Sequence, residues 1–245
     1  MKPTILEELL RTLDCDCAVR DIRQGVFHTA VVTRRCGLAA TLPRDALRQS
    51  PPLVAAPGTL HEKTPRELAA MALSESILEA AMGMAAVNSL LRVDESALVE
   101  KNARDIILER GAGKNVAVVG HFPFLGKVRT ETKNLWVLEN NPQEGDLGPE
   151  QAGEVIPRAD VVAITGTALT NHTLDGLLAL CPATAFVIML GDSVPFAPLL
   201  FDHGVDALSG TLVRDADLAL SCVIQGANFR QIRGVARLTW FKDRA

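Results

Sequence analysis

The second half of the chain alternates short apolar runs with helical segments, and this alternation constrains the fold more than any other feature. Five short runs of strand-forming residues are predicted as strands: 116–119, 135–138, 161–164, 185–190 and 205–208. Helices are predicted between and after them, at 150–157, 173–181, 196–203 and 215–225. Strands that alternate with helices predict a parallel sheet with right-handed crossovers. Residues 238–241 predict one more strand at the edge of that sheet.

The first half has a different pattern, typical of an α+β domain. A short amphipathic helix at 5–13 is followed by three extended segments at 17–23, 26–33 and 38–42, which predict an antiparallel meander. Thr64, followed by Pro65 and then Glu67, is a capping signal for a helix to about residue 74. A second helix with a face of small residues begins near residue 76, and a polar helix is predicted over 94–110.

The glycine pair at 111 and 113 predicts the boundary between two domains. Residues 1–112 form the α+β domain in this interpretation, and residues 113–245 form a Rossmann-like α/β domain. The second helix of the first domain carries Asn88 within an apolar stretch, where a buried amide requires hydrogen-bond partners.

The loops that follow the five predicted strands are polar and small. In a parallel sheet these loops converge on one edge, outside the carboxyl ends of the strands, and ligands bind there. We call this edge the rim. The candidate acid–base residues of the rim are His121, Glu139 and Asp192. The candidate ligand-binding residues, with Asn88 added from the first domain, are Asn88, Gly120, Phe122, Asn140, Thr165, Gly166, Thr167, Asn171, Gly191, Ser193 and Gly210.

The spacing of these residues leaves the ligand open. Glu139 follows Gly120 by about 20 residues, where dinucleotide folds place a ribose-binding acid, but the G-x-G-x-x-G pattern is missing. This favours some other small ligand over a dinucleotide. Cys181 and Cys222 are predicted to lie away from the rim, so a thiolate metal site is not indicated. A harder metal site built from Asp192, Glu139 and a rim histidine stays open, and no motif specifies a cofactor.

Charge and hydropathy exclude several partners. The net charge of −4 argues against a nucleic-acid binder, and no apolar run approaches the ~20 residues that span a bilayer. The first eight residues carry acids where a signal peptide has its apolar core, which predicts a cytoplasmic protein. The odd count of five cysteines argues against a disulfide framework. The expected partner is a small molecule, metal-associated or nucleotide-like, and a homo-oligomer is compatible with the chain.

The stretch from Ala159 to Asp175, ADVVAITGTALTNHTLD, resembles the hallmark block of the putative heavy-metal chelation family, a domain of unknown function. Supporting blocks are GHFP from Gly120, ENNP from Glu139 with Gly145-Asp146, and GVDALSG from Gly204. In the first half, GMAAVNSL from Gly83 resembles the companion domain that precedes it, which has a fold like the enolase N-terminal domain.

The resemblance implies an enolase-like domain followed by a Rossmann-like domain, with the site in the cleft between them. It also implies roles in heavy-metal chelation or in anaerobic cobalamin metabolism. Carried over by motif, the implied site residues are Asn88, Thr165, Gly166, Thr167 and Asn171. The chain departs from the family where Asp192 stands at a position expected to be proline, and this adds a carboxylate to the predicted rim.

Three functional hypotheses follow. The leading one is an enzyme that acts on a metal-chelating or metallocofactor-related molecule, with Glu139 or a rim histidine as acid or base. The others are a non-catalytic binder of a heavy metal or metallophore, and a nucleotide-binding regulatory module.

Overall fold

The computed structural model describes residues 2–49 and 53–242, and it is a mixed α/β protein with two sheets. The helices are α1 Ile5–Thr12, α2 Pro43–Ala46, α3 Pro65–Ala70, α4 Ile77–Leu90, α5 Ala103–Gly111, α6 Leu125–Glu131, α7 Ala152–Val155, α8 Thr167–Thr170, α9 Leu174–Leu180, α10 Leu199–Asp202 and α11 Ala216–Ile224. The strands are β1 Asp21–Gln24, β2 His28–Val32, β3 Cys36–Ala40, β4 Leu98–Val99, β5 Asn115–Val119, β6 Asn134–Leu138, β7 Val161–Thr165, β8 Phe186–Leu190, β9 Ala207–Val213 and β10 Val235–Phe241.

The first half is an antiparallel sheet, β1-β2-β3, packed against α4. Thr64 forms a capping box with Glu67, as its capping signal predicted, and Thr4 forms another with Glu7. The small residues of α4 let β3 approach closely. At Gly37 of β3, a Cβ atom would collide with the backbone of Ala85 and Ser89.

The second half is built on a seven-stranded sheet with the order β4-β10-β9-β8-β7-β5-β6. Strands β5 to β9 are parallel, as predicted, and β10 and β4 are antiparallel additions. Counted among the parallel strands alone, the order is second, first, third, fourth, fifth. The chain therefore reverses its winding direction between β5 and β7, and the loops after these strands diverge to opposite faces of the sheet. A reversal of this kind opens a crevice at the carboxyl ends of the strands.

Two details differ from the sequence prediction. The helix predicted over 94–110 is a 3₁₀ turn at Glu95–Ala97, then the short strand β4, then α5. The last strand is not at the edge, because β4 pairs with its outer side.

The structure contains no helix, within residues 2–49 and 53–242, that is long and apolar enough to cross a membrane.

Candidate functional site

The loops after β5 and β7 begin side by side at the point where the sheet reverses its winding, before they diverge to opposite faces. Gly120 directly follows β5 and has a φ of +106°, a backbone conformation that residues with a side chain rarely adopt. A Cβ atom there would lie 3.1 Å from the Phe122 ring and 3.2 Å from the Cβ of Thr165. Glycine thus allows three predicted site residues, Gly120, Phe122 and Thr165, to pack together. The Phe122 ring stacks on Phe124 with centroids 5.4 Å apart.

His121 is held at this position by a carboxylate that we did not predict from the sequence. Its Nδ1 lies 2.8 Å from Oδ2 of Asp146, whose side chain is 3% exposed, while the His121 side chain is 34% exposed. Because a carboxylate accepts, the neutral ring carries its proton on Nδ1 and presents Nε2 as a lone pair. No residue in the described part of the chain bonds to Nε2. The sequence signal for Asp146 was its place in the Gly145-Asp146 block beside Glu139.

Glu139 lies beside His121, but both of its oxygens are engaged by the backbone. Oε2 accepts the backbone N–H of His121 at 2.9 Å, and Oε1 accepts that of Asn141 at 3.3 Å. Glu139 therefore fixes the loops after β5 and β6 relative to each other. Asn140 is exposed, and the Asn141 amide lies 3.5 Å from the Asp45 carboxylate of the first half.

The loop after β7 is a compact turn that contacts the loop after β8. The hydroxyls of Thr165 and Thr167 are 3.0 Å apart, and the Thr167 N–H lies 3.4 Å from Thr165 Oγ1. Gly166 is buried, and a Cβ atom there would approach the Val194 nitrogen to 2.6 Å. The two threonine hydroxyls are half-buried hydrogen-bonding groups at the mouth of the crevice.

Ser193 and Asn88 connect this edge to the first half. The Ser193 hydroxyl accepts the backbone N–H of Ala40 at 2.9 Å. The Asn88 amide donates to the Leu38 carbonyl at 2.8 Å and lies 3.5 Å from that of Ser193. The Asn88 Oδ1 atom is buried and has no hydrogen-bond partner in the described chain. These contacts bring the predicted residues of both halves together.

Asp192 has a different environment from the one we predicted. It follows Gly191, which has a φ of +113°, but its side chain turns inward and pairs with His28 of β2 at 2.7 Å. Its other oxygen accepts the Thr211 hydroxyl. Both carboxylate oxygens have partners and the group is buried, so the structure presents no additional exposed carboxylate to a ligand.

Two more predicted residues have local structural contacts. In the orientation that satisfies its neighbours, the Asn171 amide donates to the carbonyls of Thr167 and Ala168 within its own turn. Gly210 was predicted in a loop, but it lies inside β9, paired with Leu238. A Cβ atom at Gly210 would come within 3.0 Å of the Phe196 ring, so close packing explains the glycine.

Two further histidines of the second half each bond to the first half. His172 has a φ of +59°, and its Nε2 bonds to the Ala72 carbonyl of the first half at 2.8 Å. His203 Nε2 pairs with Glu8 of α1 at 2.7 Å, away from the rim.

The described residues offer few side chains arranged to coordinate a metal ion. Within the described ranges, no three or more histidine, cysteine or acidic side chains are grouped to hold one. Burial raises the pKa of the Cys36 thiol to about 12 and that of Cys181 to about 11. These thiols are protonated at neutral pH, whereas metals bind the thiolate. The described residues therefore form no ready-made site for a bare heavy-metal ion.

Comparison with known proteins defines the class of this fold. Residues 102–242 match the model of the DUF364 family, and residues 6–91 match that of the DUF4213 family; both families are described as "Putative heavy-metal chelation". The chain belongs to this putative heavy-metal chelation family, as its Thr165-Gly166-Thr167 block indicated.

The similar proteins are themselves of unknown function. An uncharacterised protein of Methanocaldococcus jannaschii is 30% identical over 165 residues, and the match spans 64% of each chain. A crystal structure of a DUF364 family protein of unknown function from Desulfitobacterium hafniense is 25% identical, with a TM-score of 0.83 over 97% of this chain and 98% of that one. Another, from Pyrococcus horikoshii, is 19% identical with a TM-score of 0.82 over the same shares. These likenesses support the mixed α/β fold; the enolase-like character of the first half stays a prediction.

Proposed function

We propose that this protein binds a small polar molecule at the crevice between the loops after β5 and β7, with His121 as the residue that exchanges a proton with it. The observation that carries the proposal is the pair formed by His121 and the buried carboxylate of Asp146. A carboxylate on one ring nitrogen fixes the tautomer and the orientation of an imidazole and leaves the other nitrogen as an acceptor. A half-exposed histidine held in this way is suited to act as a general base or acid.

The hydroxyls of Thr165 and Thr167 support a polar ligand. They lie at the end of β7, next to Gly120, and a hydroxyl both donates and accepts hydrogen bonds. A ligand between these hydroxyls and His121 contacts the loops on both sides of the point where the sheet reverses its winding. Folds with this strand order bind their ligands at that point.

In this proposal, the ligand and not the protein supplies the donor atoms for the metal that the family description implies. His121 Nε2 supplies at most one nitrogen donor, and the described chain offers no group of three donors. We therefore infer that the ligand is a metal-chelating or metallocofactor-related molecule that supplies its own donors, and that the protein does not chelate a bare ion.

Calorimetry separates this proposal from the non-catalytic metal binder. Ni²⁺ and Co²⁺ are titrated as chlorides and as citrate complexes into the wild type and into His121→Gln, Asp146→Asn and Thr167→Val. We expect the complexes to bind with an affinity that each variant lowers, and the chlorides to bind weakly. His61→Gln is the matched control, because His61 is a solvent-exposed histidine of the first half. Tight, stoichiometric binding of the bare ions, with an affinity that His121→Gln leaves unchanged, would contradict the proposal.

A nucleotide-binding role receives less support from the geometry. That hypothesis assigned Glu139 to a ribose hydroxyl, but Glu139 already accepts two backbone N–H groups. A thermal-shift screen in which adenosine nucleotides raise Tm, and Glu139→Gln removes that rise, would reverse this ranking.

A further inference from the structure

A groove of about 410 Å³ lies between the two halves, away from the β5–β7 crevice. One wall is the antiparallel sheet of the first half, with Val32 and Cys36. The other is the end of β9, the segment after it and the first turns of α11, with Val213 and Leu220. We call it the arginine groove, because Arg20, Arg35 and Arg214 line it. Its volume is that of an ordinary small-molecule site.

The three arginines come from separate segments and leave donors free. Arg20 precedes β1, and its Nε donates to the Thr33 carbonyl at 2.9 Å. Its two terminal nitrogens have no hydrogen-bond partner among residues 2–49 and 53–242. Arg35, in the turn between β2 and β3, and Arg214, after β9, both contact Glu95, at 3.4 Å in the case of Arg35.

The charge of the groove is not balanced by its own ion pairs. Glu95 is a single carboxylate shared between two guanidinium groups. The Asp21 carboxylate, which also lines the groove, is paired with Arg23 at 2.9 Å. Arg35 Nη1 is withdrawn from solvent and has no acceptor in the described chain, so one guanidinium donor on this wall is unsatisfied. Asp217 is the acid on the opposite wall, and no cation in the described chain pairs with it.

We propose that the arginine groove binds the phosphate group of a small phosphorylated molecule. A guanidinium group donates in a planar fork that matches the oxygens of phosphate. A carboxylate presents its two oxygens in one plane. A tetrahedral oxyanion directs oxygens at several donors at once, which suits arginines that arrive from three segments. The groove is larger than the anion and accommodates the rest of the molecule.

The test is calorimetry with inorganic phosphate and pyrophosphate at low, constant ionic strength. We expect binding to the wild type, and Arg20→Gln and Arg214→Gln each to weaken it about tenfold, the value of one charge-assisted hydrogen bond. Arg104→Gln is the control for the loss of a positive charge, since Arg104 is an exposed arginine on α5 paired with Asp105. It should change the affinity less than twofold.

A gain-of-affinity variant keeps the test valid if an arginine variant fails to fold. Asp217 is exposed, and its carboxylate opposes an anion, so Asp217→Asn should tighten pyrophosphate binding about threefold. His121→Gln, in the β5–β7 crevice, should leave it unchanged, which separates this site from the function proposed above. No binding to the wild type, or equal losses in Arg20→Gln and Arg104→Gln, overturns the phosphate site.

Discussion

His28 and Asp192 form a buried hydrogen-bonded pair that joins the two halves of the protein. His28 Nε2 lies 2.7 Å from Asp192 Oδ2, and their side chains are 5% and 3% exposed. The other ring nitrogen of His28 lies 3.1 Å from the Ala227 carbonyl, which can only accept, so Nδ1 carries a proton. The pair ties β2 of the first half to the loop after β8.

Removing one partner of this pair should destabilise the protein strongly. Asp192→Ala leaves Nε2 of the buried histidine without an acceptor, and His28→Ala leaves one oxygen of the buried carboxylate without a donor. The loss of one partner of a buried pair costs about 3–5 kcal/mol. Urea denaturation followed by circular dichroism measures the free energy of unfolding of each variant.

An exposed pair gives the matched control. Arg104→Ala removes one partner of the exposed pair Arg104–Asp105 and should leave the free energy of unfolding nearly unchanged, because solvent screens an exposed pair. The double variant of His28 and Asp192 should lose less than the sum of the single variants, since both remove the same interaction. Additive losses would show that the two side chains do not interact.

The parallel sheet was predictable because its signal is local. Each of β5 to β8 is built on a run of apolar residues and is followed by a glycine or an acidic residue, and this pattern is readable without any partner strand. Once the strands are parallel, the meeting of their following loops is a consequence of topology. That argument correctly brought His121, Glu139 and Thr165 to one edge.

The contacts that define the environment of each residue were not predictable. His28 and Asp192 are 164 positions apart, and only the packing of the two halves makes them neighbours. The segment 209–211 was predicted as a loop because glycine and hydroxyl residues interrupt the apolar run. Pairing with β10 keeps it extended as part of β9. Local sequence carries no signal for such a long-range pairing.

Glu139 should restrain the loops after β5 and β6 through the hydrogen bonds that its carboxylate accepts. Its two oxygens accept N–H groups from two segments, and Glu139→Gln replaces one acceptor with an amide that donates. We expect faster amide hydrogen exchange at His121 and Asn141 in this variant, with little change in the strands. Glu144→Gln, an exposed residue of the same loop, is the control and should leave exchange unaltered. Unchanged exchange in Glu139→Gln would contradict the proposed restraint.

Gly166 and Gly176 should respond to alanine with opposite signs. At Gly166 the new Cβ would lie 2.6 Å from the Val194 nitrogen and 2.8 Å from the Ser193 carbonyl carbon, and backbone cannot easily yield. We expect a loss of about 1–3 kcal/mol, as for other overpacked sites. Gly176 lies in α9 with nothing within 4 Å of its Cβ position, so alanine should stabilise by about 0.5–1 kcal/mol. Thermal unfolding of both variants measures the difference, and a tolerated Gly166→Ala would show that the loops after β7 and β8 are not in close contact.

Ionisation of the Cys36 thiol should lower the free energy of unfolding of the protein at alkaline pH. Burial, with a smaller contribution from the nearby Asp21 carboxylate, raises the pKa of its thiol from an ordinary value of 9.0 to about 12. A thiol with a raised folded pKa contributes stability that is complete below pH 9 and is lost as the pH rises toward the folded value. The slope is about 1.4 kcal/mol per pH unit for one group. Between pH 8 and 10, the free energy of unfolding of the wild type should therefore fall about 1.4 kcal/mol further than that of Cys36→Ala. Parallel pH profiles for the two proteins would mean that the Cys36 thiol ionises as readily in the folded chain as in the unfolded one.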